Sequence, residues 1–201
     1  MPEMQETHPR RLEIGSAITI AGLGDSLTQG WMVKKGFFDR FCDRLCEKHP
    51  SAKITRINAG IPGDTAAGGL YRLDRLISQA PDWVVVQFAL NDCYSGVDVS
   101  EFEQSIESIG KKLQDNKINP VLVTSCPVLD SSFMEAADLF YSAIAAVGDR
   151  LDVLVARLDE YWLQNQPPRP EALYQWDGVH PTDEGHALMA EGLLKFVTSG
   201  G

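Results

Sequence analysis

Apolar and polar positions along the chain switch between two periods. Ile18-Thr19-Ile20-Ala21-Gly22-Leu23 is a short, partly β-branched apolar run, which predicts a buried strand. Phe37, Phe38, Phe41, Cys42, Leu45 and Cys46 then recur at helical spacing, with Asp39, Arg40, Asp43, Arg44 and Glu47 between them. That pattern predicts an amphipathic helix ending near His49-Pro50. Lys53 to Asn58 alternates as a second strand, and Gly60, Pro62 and Gly63 mark a turn. Asp64 or Thr65 is placed to cap a helix carrying Leu70, Leu73, Leu76 and Ile77.

The same rhythm continues to the end of the chain. Trp83 to Phe88 predicts a third, buried strand, followed directly by Asn91-Asp92. Ser100 with Glu103 is a capping-box pattern before a helix carrying Phe102, Ile106, Ile109 and Leu113. Asn119-Pro120 reads as a break, and Val121 to Thr124 as the fourth strand. Ser132 with Glu135 repeats the capping pattern before Phe133, Ala137, Phe140, Ile144 and Val147. Leu151 to Val155 predicts a fifth strand, Gln166 to Pro170 a loop, and Thr182 the cap of a last helix through Leu188, Met189, Leu193, Leu194 and Phe196.

Strands alternating with helices imply right-handed crossovers. The expected fold is therefore α/β: a three-layer α/β/α sandwich on a mostly parallel five-stranded sheet. Residues 1–15 read as a flexible tail and 16–201 as a single domain. No repeat or second-domain boundary interrupts the pattern.

Composition narrows the partners. The formal net charge is −10, which works against binding nucleic acid or an anionic membrane, and Arg10-Arg11 and Lys34-Lys35 are too short to make a basic patch. No apolar run approaches the ~20 residues of a membrane span. The polar start, Met1 to Arg10, lacks a signal-peptide core, so a cytoplasmic location is expected; a secreted protein without its leader would read the same way. Cys42, Cys46, Cys93 and Cys126 form no CxxC pair and are expected as reduced core residues rather than disulfides or metal ligands.

Four loops carry the candidate chemistry: Gly24-Asp25-Ser26-Leu27, Asn58 to Thr65, Ala89-Leu90-Asn91-Asp92, and Asp177-Gly178-Val179-His180-Pro181. In a parallel sheet the first three share one edge. A serine hydroxyl needs a base. His180 is the best placed, because Asp177 three residues earlier can orient its ring; His8, His49 and His186 sit in the tail, at a helix end and inside a helix. The N–H groups of Ser26 and Gly63 and the amide of Asn91 are suitable oxyanion donors. Taken singly, Ser26 reads as a helix cap and Asp177, Gly63 and Asn91 as turn residues. Together, in chain order at consecutive loop ends, they point to acyl transfer.

These four blocks resemble those of the SGNH hydrolases, the GDSL-type esterases and lipases, over nearly the whole chain. The Asn58 to Thr65 stretch is similar to that of the bacterial thioesterase/lysophospholipase branch. The resemblance implies a flavodoxin-like SGNH hydrolase fold, Ser26 as nucleophile with Asp177 and His180, and Ser26, Gly63 and Asn91 as the oxyanion hole. It implies that Asp25 holds the nucleophile loop, with Asn58 in a similar supporting role, and that no metal or organic cofactor is used. One position departs from the family pattern: Ala89 stands where a glycine is usual. Trp31, Cys93, Tyr94, Trp176 and Val179 are candidate substrate contacts, along with Met32, Val33 and Tyr174. The expected substrate is a small-molecule or lipid carboxylic ester of short to medium acyl length, lysophospholipids and acyl thioesters included. The competing readings are a carbohydrate O-acetyl esterase of the same superfamily, a metallophosphatase, and a non-catalytic α/β binding module.

Overall fold

Five parallel strands in the order β2-β1-β3-β4-β5 form the centre of the computed structural model, which describes residues 11–198. The strands are β1 Ala17–Gly24, β2 Lys53–Gly60, β3 Trp83–Gln87, β4 Asn119–Val123 and β5 Leu154–Ala156. The helices are α1 Ser26–Gln29, α2 Phe37–Lys48, α3 Ala66–Ile77, α4 Leu90–Tyr94, α5 Val99–Asp115, α6 Ser131–Leu151, α7 Leu158–Asn165 and α8 Asp183–Thr198. A 3-10 turn at Pro170–Leu173 precedes the loop that leads into α8.

The layers follow from which faces are apolar. The buried residues of α2, among them Phe37, Phe38, Phe41 and Leu45, pack toward α8, and α7 lies beside α8. On the other face α3 packs on α5 and α5 on α6. β3 is buried at every position and β1 nearly so, as expected for strands covered on both faces. β2 is an edge strand with no fully buried residue. The chain leaves β1 for β2 on one side, then returns past β1 to β3 on the other. That reversal opens a crevice at the carboxyl ends of β1 and β3, where doubly wound sheets bind ligands.

Several expected boundaries shift. The caps of α5 and α6 are Asp98 and Asp130, not Ser100 and Ser132. Their carboxylates accept the N–H of Ser100 at 2.8 Å and the N–H groups of Ser132 and Phe133 at 2.9 and 3.2 Å. A carboxylate accepts more strongly than a serine hydroxyl, and both serines then lie inside the first turn. Helix α6 runs on through Leu151 and is ended by Asp152 in the left-handed region, which leaves β5 only three residues long. Asn119-Pro120 opens β4 instead of breaking the chain before it. Residues 1–10 of the expected tail lie outside the described residues. Within the rest of that tail, Leu12 is buried and its N–H donates to the Val197 carbonyl at 3.2 Å. Among the described residues no helix is long and apolar enough to cross a membrane.

His186 joins the two helices on the α2/α8 face. The α2 cap, Gly36, has no side chain to offer, and the Phe37 N–H instead donates to His186 Nδ1 at 3.1 Å. Burial and the nearby Arg40 push this imidazole down to about 4. The unfolded chain therefore binds a proton near pH 6.5 that the folded chain refuses until about pH 4. Stability supplied by neutral His186 is present above about 6.5 and lost as pH falls toward 4, by up to ~3 kcal/mol. Urea unfolding of the unaltered protein and His186→Gln should show the steeper acid loss in the former; equal pH slopes would contradict this role.

Candidate active site

Glycine at position 24 lets the chain fold back on the sheet. A Cβ there would lie 2.6 Å from the Gln87 carbonyl oxygen, so only glycine fits between the end of β1 and the neighbouring strand. Asp25 then caps the one-turn helix α1, its Oδ1 accepting the Leu27 N–H at 2.8 Å. Gly30, at φ 84°, closes the turn by donating its N–H to the Ser26 carbonyl at 2.9 Å. Ser26 is thus the first residue of α1 rather than its cap, with a free N–H at a helix start.

The loop before α8 brings His180 to this serine. An antiparallel bridge between Tyr174 and Pro181 pinches the loop at its base, and Gly178, at φ 69°, turns its tip. Tyr174 is buried against Trp162 and anchors the loop, while Trp176 is 87% exposed and anchors nothing. His180 Nε2 lies 3.0 Å from Ser26 Oγ, and Nδ1 lies 2.7 Å from Asp177 Oδ2. An ionised carboxylate only accepts, so the proton belongs on Nδ1 and Nε2 faces the serine as acceptor. Burial disfavours the Asp177 carboxylate, but the Val179 N–H, the His180 ring and the His180 N–H outweigh it and hold this carboxyl below its ordinary value. Both backbone bonds reach Oδ1, at 3.0 and 2.9 Å, which leaves Oδ2 to the ring.

The opposite wall comes from the loops after β2 and β3. Gly63 sits at φ 78° with open space where a Cβ would be, so the backbone angle and not crowding demands glycine. The Arg72 guanidinium ties this loop to β1, donating to the Asp64 carboxylate at 2.7 Å, the Ala59 carbonyl at 2.6 Å and the Gly24 carbonyl at 3.0 Å. Asn91 is the second residue of α4, and its Nδ2 donates to the Asp64 carbonyl at 3.0 Å, which leaves its second N–H available. Asp92 is buried beneath it and accepts the Ala66 N–H at 3.0 Å; burial pushes its carboxyl up to about 6. Asn58 supports the serine loop from the side, its Nδ2 donating to the Thr28 carbonyl at 2.9 Å.

Of the candidate substrate contacts, Trp31, in the loop after α1, and Tyr94, the last residue of α4, are about half exposed, Tyr94 stacking on Phe133 at 3.8 Å. Cys93 and Val179 are partly buried against the core. All four cysteines are free thiols. Among the described residues no three His, Cys, Asp or Glu side chains come together as a metal site. The sequence reading missed Arg72 and Gln87. Gln87 carried a signal, as a polar residue in an otherwise apolar strand. Arg72 reads as one more surface charge on α3.

Parallel strands, the crevice at the sheet's reversal point and the paired Ser-His and His-Asp contacts define an SGNH-type hydrolase. Solved structures agree on the fold: the acetylxylan esterase Axe2 of Geobacillus stearothermophilus superposes with a TM-score of 0.83 at 21% identity, covering 94% of this chain and 98% of that one. A lipase/acylhydrolase from Enterococcus faecalis gives 0.77 at 23% identity, over 89% and 94%. The model of the GDSL-like Lipase/Acylhydrolase family matches residues 23–188, and the chain belongs to that family of ester-hydrolysing enzymes. It is 28% identical to thioesterase 1/protease 1/lysophospholipase L1 of Escherichia coli over 90% of this chain and 83% of the relative. It is also 28% identical to esterase TesA of Pseudomonas aeruginosa over 85% and 78%.

Ala89 has a conformation that explains why glycine is usual there. It caps α4 at φ 137°, ψ −46°, outside the regions an L-residue favours. Such strain costs about 1–3 kcal/mol. Replacing an ordinary buried alanine by glycine costs about 1 kcal/mol. Here Ala89→Gly should be neutral or stabilising by about 1 kcal/mol in urea unfolding; a loss above that size would show the backbone to be unstrained.

Proposed function

We propose that the protein is a serine esterase that works through a Ser26-His180-Asp177 triad and an acyl-enzyme intermediate. The observation that carries this reading is the chain of contacts from Asp177 Oδ2 through the His180 ring to Ser26 Oγ, at 2.7 and 3.0 Å. His180 Nε2 takes the hydroxyl proton as Oγ attacks the ester carbonyl. The N–H groups of Ser26 and Gly63 and the spare amide N–H of Asn91 receive the oxyanion. The imidazolium, steadied by Asp177, gives the proton to the leaving alcohol. Water then attacks the acyl carbonyl as the same nitrogen takes its proton; the Oγ–acyl bond breaks, the imidazolium returns the proton to Ser26 Oγ, and the acid leaves. The step requires neither metal nor organic cofactor.

The substrate we assign is a carboxylic ester of short to medium acyl length, whether small-molecule or lipid, with lysophospholipids and acyl thioesters in range. The names of the Escherichia coli and Pseudomonas aeruginosa relatives support it. So does the exposed apolar surface beyond the strand ends, where Trp31, Met32, Ile61, Tyr94 and Leu129 are each 46–53% exposed and Trp176 87%. The likeness to an acetylxylan esterase favours a second reading, sugar deacetylation.

Two measurements decide. Ser26→Ala should lower p-nitrophenyl ester turnover by ~10⁴-fold or more, and Asn91→Ala by ~10²–10³-fold; near-normal turnover in Ser26→Ala refutes the triad. A series of p-nitrophenyl esters beside acetylated xylo-oligosaccharides should peak at butyrate to octanoate; a preference for the acetylated sugar selects the second reading.

A further inference from the structure

Behind Ser26, out of substrate's reach, Gln87 ends β3 fully buried, after Val84, Val85 and Val86. Its side-chain amide is engaged across three strand ends. Thr28 Oγ donates to Oε1 at 2.7 Å, and Nε2 donates to Asp25 Oδ2 at 3.2 Å and to Ser125 Oγ at 2.9 Å. When ionised, the Asp25 carboxylate only accepts, which puts the amide nitrogen on its side and makes the Thr28 hydroxyl the donor.

Asp25 caps α1 just before Ser26, and Thr28 lies two residues after it. Ser125 belongs to the segment after β4, and that segment backs the triad loop. Within it the Cys126 carbonyl is held by the Tyr141 hydroxyl at 3.0 Å, and the Leu129 N–H donates to the Gly178 carbonyl at 2.9 Å. One buried amide therefore joins the turn that carries Ser26 to the segment against which the His180 loop rests. A buried amide in an apolar strand is tolerated only when its hydrogen bonds are made, which makes this arrangement stiff.

We infer that Gln87 is a positioning residue for ester hydrolysis, holding α1 and the segment after β4 in the register that sets Ser26 Oγ within reach of His180 Nε2. The inference rests on the triad proposed above. It also makes the identity of the residue matter, because glutamate has the same shape but no amide protons. A carboxyl at this position faces the Asp25 carboxylate, and the pair keeps the link to Asp25 only while it holds a proton between its two members. Asp64, Asp92, Cys126 and Tyr141 also face Asp25. They surround Asp25, itself pushed up to about 7, in both proteins, so their contribution is common to the two pH profiles and the ratio reads the change that the residue at position 87 makes to the Asp25 link.

The test compares Gln87→Glu, Gln87→Leu and Ser26→Ala with the unaltered full-length chain, reading kcat and KM on a p-nitrophenyl ester and the thermal unfolding midpoint. Gln87→Leu should lower kcat about tenfold to a hundredfold with KM within about twofold. The kcat ratio of Gln87→Glu to the unaltered protein should be low near pH 8 and rise severalfold as pH is lowered to about 5.5. Unchanged kcat in both Gln87 variants overturns the inference, and so does a pH-independent ratio for Gln87→Glu. If Gln87→Leu fails to fold, the Gln87→Glu ratio decides alone. Loss of activity in Ser26→Ala with normal Gln87 variants removes the positioning role and leaves the triad standing. Full activity in Ser26→Ala removes the triad itself.

Discussion

The structure depends on a reversal packed into very few residues: the chain leaves β1 at Gly24 and turns at once into α1. Asp25 makes the turn possible. Its carboxylate is fully buried, caps α1 through the Leu27 N–H and meets the Gln87 amide on its other oxygen. Burial drives this group up to about 7, while those two donors, chiefly the Leu27 N–H, pull it down. A buried carboxylate without such donors is costly, so the turn and the network behind it stand or fall together. Ser26 follows directly on this capped carboxylate, and its own carbonyl accepts the Gly30 and Trp31 N–H groups that close the turn.

The rest of the site is arranged around this fixed point by crossovers. Because the strands are all parallel, the loops after β1, β2 and β3 open at one edge, on either side of the point where strand addition switches side, and the loop before α8 supplies the fourth. Each loop is tied to its neighbours by backbone groups: Arg72 to carbonyls of β1 and β2, Asn91 to the Asp64 carbonyl, Leu129 to the Gly178 carbonyl. In the reading proposed above, such ties hold the oxyanion donors in place before substrate arrives, the condition under which fixed dipoles stabilise a developing charge at little reorganisation cost. The strained backbone at Ala89 lies in the same frame, one residue before α4.

Much of this was legible in the residues. Apolar periodicity located all five strands and the five long helices because burial on one or both faces dictates it. The pairing of Asp177 with His180 was readable from spacing, since three residues around a glycine suffice for the contact. What stayed hidden depends on tertiary geometry. The one-turn helices α1 and α4 are too short to show a period, so Ser26 and Asn91 read as loop residues. The caps at Asp98 and Asp130 were masked by serines two positions on that fit a capping box equally well. The role of Arg72 depends on carbonyls at Gly24 and Ala59, and that of Gln87 on Thr28 and Ser125, partners far away in sequence. The packing of Leu12 on α8 likewise needed the fold to be seen.

The central claim is that Ser26 carries the acyl group. Treating the protein with a fluorophosphonate and mapping the adduct by mass spectrometry tests it most directly. The account predicts one adduct, on the peptide containing Ser26, forming in step with the loss of ester hydrolysis and absent from His180→Ala. An adduct on another residue that tracks the loss, or hydrolysis that continues with Ser26 fully modified, would contradict it.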